Sequence, residues 1–514
     1  MAEKSVSVRP AASAVLWRRG PAGLEVFWVR RGAELRFAGG FYAFPGGRVD
    51  EADAAVPLSN AGGLEHVDAA LVAAAARELF EETGVLAVPG AERVPAEAHK
   101  AARHALLDDD GRGPGFAGFL SRHGLTVDAS RFLPAGRWVT PPQMPVRFDA
   151  RFYLVELPAG QAAEVWPGEL ADGEWIRPAE ALARWTAGSA LLHPPAWHTL
   201  RALGLPEAEA RPESVLPLLI DPSRAPWPMP MHDHIVERIE FQRGMLLVPL
   251  RTPTLPPATH TNCLLLGEED LWVVDPGSPW EEEQAVLGST LATLAEEGRV
   301  ARGILLTHEH LDHVGGAQAL ARKLKIPIAA SAATRDRLAQ LGSDVVVDRV
   351  IQDGEVLELG ARKFRLLVLP GHTRGHTCLL DETSRAVVAG DLVAGVGTVI
   401  IDPPDGDMAD YIASLRRLIA LGPGTVYPAH GPVIPGGLAK LQQYLHHRFE
   451  REEKVVQALA AFGRPADPAE LVPSAYADVA PALHVFAERS LLAHLLKLEK
   501  DGRARRDEGG RWRS

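Results

Sequence analysis

Cysteine is nearly absent: Cys263 and Cys378 are the only two in 514 residues. So few thiols exclude a disulfide-stapled fold. They suit a reducing compartment, and a cytoplasmic location is expected. Long apolar runs are missing as well. No stretch approaches the roughly 18 residues that would suggest a membrane span, so no membrane partner is expected. The first ten residues, M-A-E-K-S-V-S-V-R-P, lack the apolar core of a secretory leader. Basic residues are in deficit too: 54 Lys and Arg face 66 Asp and Glu, a net charge of −12. Bulk charge therefore does not draw the chain to nucleic acid, which leaves only a local basic groove for such a role.

What remains is an ordinary globular balance, 46% hydrophobic and 23% charged, with a length that fits two to four domains. One stretch stands out. Residues 307–313 read T-H-E-H-L-D-H and place His308, His310, Asp312 and His313 within six positions. Neutral imidazoles with a carboxylate suit divalent zinc, iron or manganese. Ligands this close together cannot close one shell alone, so others must come from elsewhere. Three later segments offer them, each ending a strand-like run at a small-residue turn: His372 in L-P-G-H-T, Asp391 in A-G-D-L and His430 in P-A-H-G-P. These residues suffice for two metals, which together make hydroxide available near neutral pH and stabilise an oxyanion.

The first part of the chain carries different chemistry. Residues 11–16 and 24–30 read as strands joined by a turn. The segment F-A-G-G-F-Y-A-F-P-G-G-R-V-D-E-A-D follows at 37–53, where Gly46 and Gly47 permit close approach to a ligand. An Ala-rich helix is expected over 68–83, with Asp68 as N-cap and Gly84 as stop. Its last turns hold Glu78, Glu81 and Glu82 on one side. Carboxylates crowded at a helix C-terminus, where negative charge is disfavoured, are best explained by a hard cation such as magnesium. Arg147 and Arg151, at the start of a strand ending at 157, are candidate phosphate contacts, and Glu174 is a candidate extra base.

This first part resembles the Nudix hydrolase family. Its box is a Gly, a carboxylate six residues on, then R-E-U-x-E-E-x-G-U, with U bulky and apolar. Arg77, Glu78, Leu79, Glu81, Glu82, Gly84 and Val85 match the second half, and Gly47 matches the opening. Asp53 stands where the family usually has Glu, and a loop-like insertion around 57–66 lengthens the spacing to Arg77. The insertion and the P-G-G opening are similar to the branch containing the peroxisomal CoA diphosphatases. The resemblance implies an α/β/α sandwich over 8–205. It also implies Mg2+ or Mn2+ at catalytic Glu78, Glu81 and Glu82, and cleavage of a nucleoside-diphosphate-linked, CoA-type compound.

Prolines recur through 206–236, which reads as an extended, semi-rigid linker. From 237 to 447 the ligand motifs H-x-H-x-D-H, G-H-T, G-D and H-G resemble, in order, the metallo-β-lactamase fold superfamily. The resemblance implies an αβ/βα sandwich. It assigns one metal to His308, His310 and His372 and a second to Asp312, His313 and His430, with Asp391 bridging both; zinc is the expected ion. Asp312 and Asp391 are the expected catalytic residues. The segments A-G-V-G-T-V-I-I-D and Y-P-A-H-G-P-V-I resemble the β-lactamase-like protein 2 branch, which includes an endoribonuclease acting on single-stranded RNA. Penicillin hydrolysis is not expected, because Asp391 replaces the cysteine or serine typical of it.

Residues 448–514 read as a helix, further helices and a short hairpin near Gly509 and Gly510, similar to a winged helix. Arg503, Arg505, Arg506, Arg511 and Arg513 could meet phosphates. The expected fold class is thus α/β multidomain. The expected function is a bifunctional metal-dependent hydrolase: one half cleaves the diphosphate compound, the other an ester, thioester or phosphodiester. The alternative is a single-stranded RNA endonuclease with an accessory or nucleotide-sensing Nudix domain. Expected partners are a small nucleotide or CoA-type substrate, with single-stranded RNA and a second copy of the chain as further candidates.

Overall fold

In the computed structural model the described residues are 7–33, 35, 38–62, 65–107, 115–142, 144, 146–166 and 168–514. The start of the chain, Phe37, Gly63 and Leu64 of the insertion, and Gln143 and Pro145 before Arg147 lie outside them. The chain divides into two compact units, 1–243 and 244–514.

The first unit is built on a mixed sheet. Val8–Gly20 lies parallel to Arg147–Glu156 and antiparallel to Gly23–Arg31 and Gly46–Arg48. Side chains alternate across it, as strand geometry requires. Ala12, Ala14, Leu16, Phe27 and Val29 pack against Leu79 and Phe80 of the helix His66–Thr83. Val15, Trp17, Val26 and Trp28 pack on the other face against Ala181, Trp185 and Leu200 from the helices Pro178–Ala187 and Pro194–Leu203. Each large apolar side chain buried this way contributes roughly 1.5–3 kcal/mol. The result is helix, sheet, helix.

Two expectations change here. The helix begins at His66 with Glu65 as its cap residue, so Asp68 lies inside the first turn instead of capping it. Gly84 does stop the helix, with φ of 73° and its N–H donating to Phe80 O. The expected linker 206–236 is folded. It forms helices Pro206–Ala210 and Leu216–Ile220 and strands Met231–His232 and Ile235–Val236, the latter pairing with Val139 of Leu133–Val139. The reason is burial: Val215, Leu219 and Trp227 are 1%, 0% and 5% exposed within the second core of this unit. Proline starts these short helices at N1 or N2, where no N–H is needed. The boundary accordingly falls at 243/244 instead of in the Pro-rich stretch.

The second unit carries two sheets. One runs Met245–Arg251, His260–Leu266, Asp270–Val274, Val300–Leu305, Ile328–Ser331, Arg349–Ile351; the other Val356–Leu359, Arg362–Val368, Thr377–Asp381, Val387–Gly390, Val426–Pro428. Helices Glu281–Glu296 and Ala317–Leu324 cover the first through Leu287, Leu291 and Leu320. Met408–Ala420 and the start of Gly437–Phe462 cover the second through Ile412, Leu415 and Leu441. Alternate strand residues Leu264, Leu305, Leu366 and Leu379 are also at most 1% exposed. Both faces of each sheet are therefore buried, which explains their near-continuous apolar runs.

The helix Gly437–Phe462 continues into a small C-terminal core formed with Pro468–Ala475 and His484–Lys500. A hairpin of Arg505–Arg506 and Trp512–Arg513 closes it, with Trp512 also bridging to Ala466. No helix among the described residues is long and apolar enough to cross a membrane.

Candidate metal centre

Five strand C-terminal ends in the second unit deliver the site. Asp275 follows Asp270–Val274, the 307–313 loop follows Val300–Leu305, and His372 follows Arg362–Val368. Asp391 follows Val387–Gly390, and His430 follows Val426–Pro428. The structure brings His308, His310, His372 and Asp391 into one group and Asp312, His313 and His430 into another, each with ligand atoms within 4.8 Å of one another. Asp391 links the two: its carboxylate lies 3.6 Å from His372, 3.6 Å from His313 and 3.4 Å from His430.

Outer hydrogen bonds aim the rings. His372 Nδ1–H donates to Ile400 O at 2.9 Å and His430 Nδ1–H to His260 O at 3.0 Å. His313 Nδ1 is 2.8 Å from Asp275 Oδ2. Thr307 Oγ1–H donates to that same carboxylate at 2.6 Å, so Thr307 Oγ1 is left to accept from His308 Nδ1–H at 3.0 Å. With Nδ1 bound outward in all four, Nε2 is the nitrogen each ring turns to the centre, the one a metal would take. The consequence is visible at His310. Its Nδ1 lies 2.9 Å from His308 Nε2 and 3.1 Å from His372 Nε2, three nitrogens converging as they would around one cation.

Burial holds His308 and His372 below the usual imidazole range and His310 at about 4, so these rings are neutral. Burial acts the same way on His313 and His430, but Asp391 and its acidic neighbours outweigh it; His313 is raised, and His430 reaches about 10. Burial would lift the Asp391 carboxyl, yet His430 and His313 keep it well below the ordinary range. His313 Nε2 and Asp391 Oδ1 are buried with no hydrogen-bond partner. Orphaned atoms of this kind are costly unless a cation meets them. The donor set, nitrogen plus carboxylate oxygen, fits divalent transition metals.

Comparison with known proteins places this constellation. Residues 256–430 match the metallo-beta-lactamase superfamily, and 468–512 the beta-lactamase associated winged helix domain. A beta-lactamase-like protein 2 homolog of Caenorhabditis elegans is 30% identical over 282 residues, covering 53% of this chain and 90% of the relative. The chain belongs to the metallo-beta-lactamase superfamily. It is a metal-dependent hydrolase of that superfamily. An atrochrysone carboxyl ACP thioesterase of Aspergillus fumigatus is 33% identical over 205 residues, covering 39% of this chain and 59% of the relative. The first unit falls beside a NUDIX hydrolase structure from Alicyclobacillus acidocaldarius: 31% identity, TM-score 0.36, covering 42% of this chain and 98% of that one.

Residues not singled out from the metallo-beta-lactamase motifs also shape the centre. Asp275 and Thr307 orient two ligands, and His376 Nε2 accepts the Asp391 N–H at 3.0 Å. Asp275 gave only a strand-end D-P-G signal, and His376 sat unused beside His372 in G-H-T-R-G-H-T. In the C-terminal winged helix, Arg503 pairs with Glu452, Arg506 with Glu499 and Arg511 with Glu470. Each of those three guanidiniums already faces a carboxylate.

In the first unit the carboxylates sit around Arg77. Its guanidinium grips Asp53 through two bonds of 2.7 and 3.0 Å and also reaches Glu78 and Glu81 at 2.9 and 3.1 Å. Asp53, 2% exposed, additionally accepts the Asp50 N–H. Glu82 accepts the Gly46 N–H at 2.8 Å. A Cβ on Gly47 would sit 2.3 Å from the Glu78 carboxylate, so a side chain there would displace that carboxylate. Burial pushes Glu78 and Glu82 up and Glu81 to about 8. Because Arg77 takes two carboxylates and Gly46 the third, these oxygens do not gather into a tight group as the histidines do; among the described residues the two such groups are those of the second unit.

Arg151 shares a register row with Ala12 and Gly47, on the face covered by the helix His66–Thr83, and binds Asp149 at 2.7 Å. Arg147 donates to Thr140 O. Glu174 is not a free base: it pairs with Arg184 and accepts from Trp28 Nε1, opposite Trp28 on the far face of the sheet.

Proposed function

We propose that the chain is a bifunctional hydrolase in which the second unit cleaves a thioester and the first a nucleoside-diphosphate linkage of CoA type. The observation that carries the second-unit reading is Asp391 standing between the two histidine groups. His308, His310 and His372 would hold one divalent ion and Asp312, His313 and His430 the other, with Asp391 shared. Such a pair, when bound, supplies an acidified water and a Lewis acid for the substrate oxygen. The chain's own work is positional. Asp275 and Thr307 lock two imidazole tautomers, while Ile400 O and His260 O lock two more. The thioester is favoured within the ester, thioester and phosphodiester range by the named fungal relative.

For the first unit we propose Nudix-type hydrolysis with Mg2+ or Mn2+ at Glu78, Glu81 and Glu82. Burial makes three adjacent carboxyls resist ionisation, and a hard cation relieves that cost. Gly46 and Gly47 provide backbone approach beside them. The test is a substrate panel of CoA, acetyl-CoA, ADP-ribose, S-lactoylglutathione and single-stranded RNA against wild type, Glu82→Gln and His308→Ala. Thioester turnover should vanish only in His308→Ala, and diphosphate cleavage only in Glu82→Gln. If neither variant loses a substrate selectively, the two-site reading fails.

A further inference from the structure

The segment 400–407 borders the metal centre, because Ile400 O accepts the His372 ring N–H. Its three carboxylates are all spoken for: Asp402 pairs with Arg489, Asp405 with Arg337 and Asp407 with Lys500. A fourth cation docks on the same segment. Arg374 donates to Pro404 O at 3.1 Å and makes no ion pair among the described residues. The side chain is exposed. One backbone bond thus fixes the guanidinium's place while leaving its charge uncompensated and most of its N–H groups free.

Position gives that charge a purpose. Arg374 lies two residues beyond His372, and its guanidinium is seated on Pro404, four residues beyond the Ile400 carbonyl that holds the His372 ring. Guanidinium is weakly hydrated and matches oxyanions with paired N–H donors.

We propose that Arg374 forms an oxyanion subsite beside the metal centre, so that the second unit selects thioesters carrying a phosphate or carboxylate away from the reacting bond. This rests on the thioester reading above. Three probes share the scissile acetyl thioester: acetyl-CoA bears phosphates, S-acetylglutathione bears carboxylates, and S-acetyl-N-acetylcysteamine is neutral. Wild type should prefer one anionic probe, and the preferred one identifies the oxyanion. Arg374→Gln should raise KM for it about 10-fold with kcat and the neutral probe unchanged, and Arg374→Lys should recover part of the loss. Calorimetric titration of the metal-loaded Glu82→Gln protein, whose first unit should not cleave CoA, with CoA and with glutathione reads the subsite without turnover, because only the second-unit component changes when Arg374→Gln is added. Weaker binding of one of these in the variant supports the subsite even if no thioester is cleaved, an outcome that would sink the thioester reading alone. Equal binding in both proteins, or an equal loss on the neutral and anionic probes, overturns the subsite.

Discussion

The backbone N–H of Asp391 donates to Nε2 of the buried His376 across 3.0 Å. The carboxylate that links both histidine groups is therefore held by a ring that ligates nothing itself. Burial keeps that ring neutral, at about 3, so its lone pair is always available to accept. Gly390, with φ of 49°, leaves the room: a Cβ there would lie 2.6 Å from His376 Nε2.

His376→Ala should cost about 10- to 100-fold in metal affinity and in hydrolysis, the usual range for an outer-shell partner. His376→Gln should keep part of it, since an amide oxygen can accept the same N–H. Metal content after dialysis against a graded chelator, read beside the far-UV spectrum, separates lost positioning from lost folding.

Asp275 accepts from Thr307 N and Oγ1 and from His313. Asp275→Asn retains one acceptor oxygen and tolerates the positive φ of 50° at this position. The fold should survive while metal affinity drops by about 10- to 100-fold. Unchanged metal affinity in the folded variant would falsify the orienting role.

In the first unit, Asp53→Ala leaves the buried Arg77 without its bidentate partner. Breaking a buried pair from one side costs roughly 3–5 kcal/mol. Urea unfolding should show the first transition moving to lower denaturant while thioester turnover by the second unit is retained at low denaturant.

Acid should weaken the first unit through His198. Its Nε2–H donates to Leu218 O and its Nδ1 accepts from Trp227 Nε1–H; the second bond needs the neutral ring, because protonation removes the lone pair that accepts it. Burial lowers its pKa to about 4, against about 6.5 when unfolded. Between these values the unfolded chain binds a proton that the folded one does not, so stability falls as pH falls. The loss reaches on the order of 3 kcal/mol near pH 4. Unfolding midpoints from pH 7.5 down to 4.5 check this, and His198→Gln should flatten the slope.

Local chemistry was legible where it is dense in sequence. The T-H-E-H-L-D-H loop, the small-residue turns before His372, Asp391 and His430, and the run from Arg77 to Val85 each announce themselves within a few positions. Strand alternation and the stop at Gly84 were readable for the same reason: backbone period and positive φ are properties of neighbours along the chain. Proline misled at 206–236, because composition reports an extended tendency but not the apolar surface that Val215, Leu219 and Trp227 bury. Which residues meet was decided by tertiary structure alone. His376 and Asp391 are 15 positions apart, and Asp275 lies 38 positions before His313. Arg374 is 30 positions from the carbonyl that seats it. Only the stacking of strand ends brings such partners within hydrogen-bond range, and only burial then makes each bond matter.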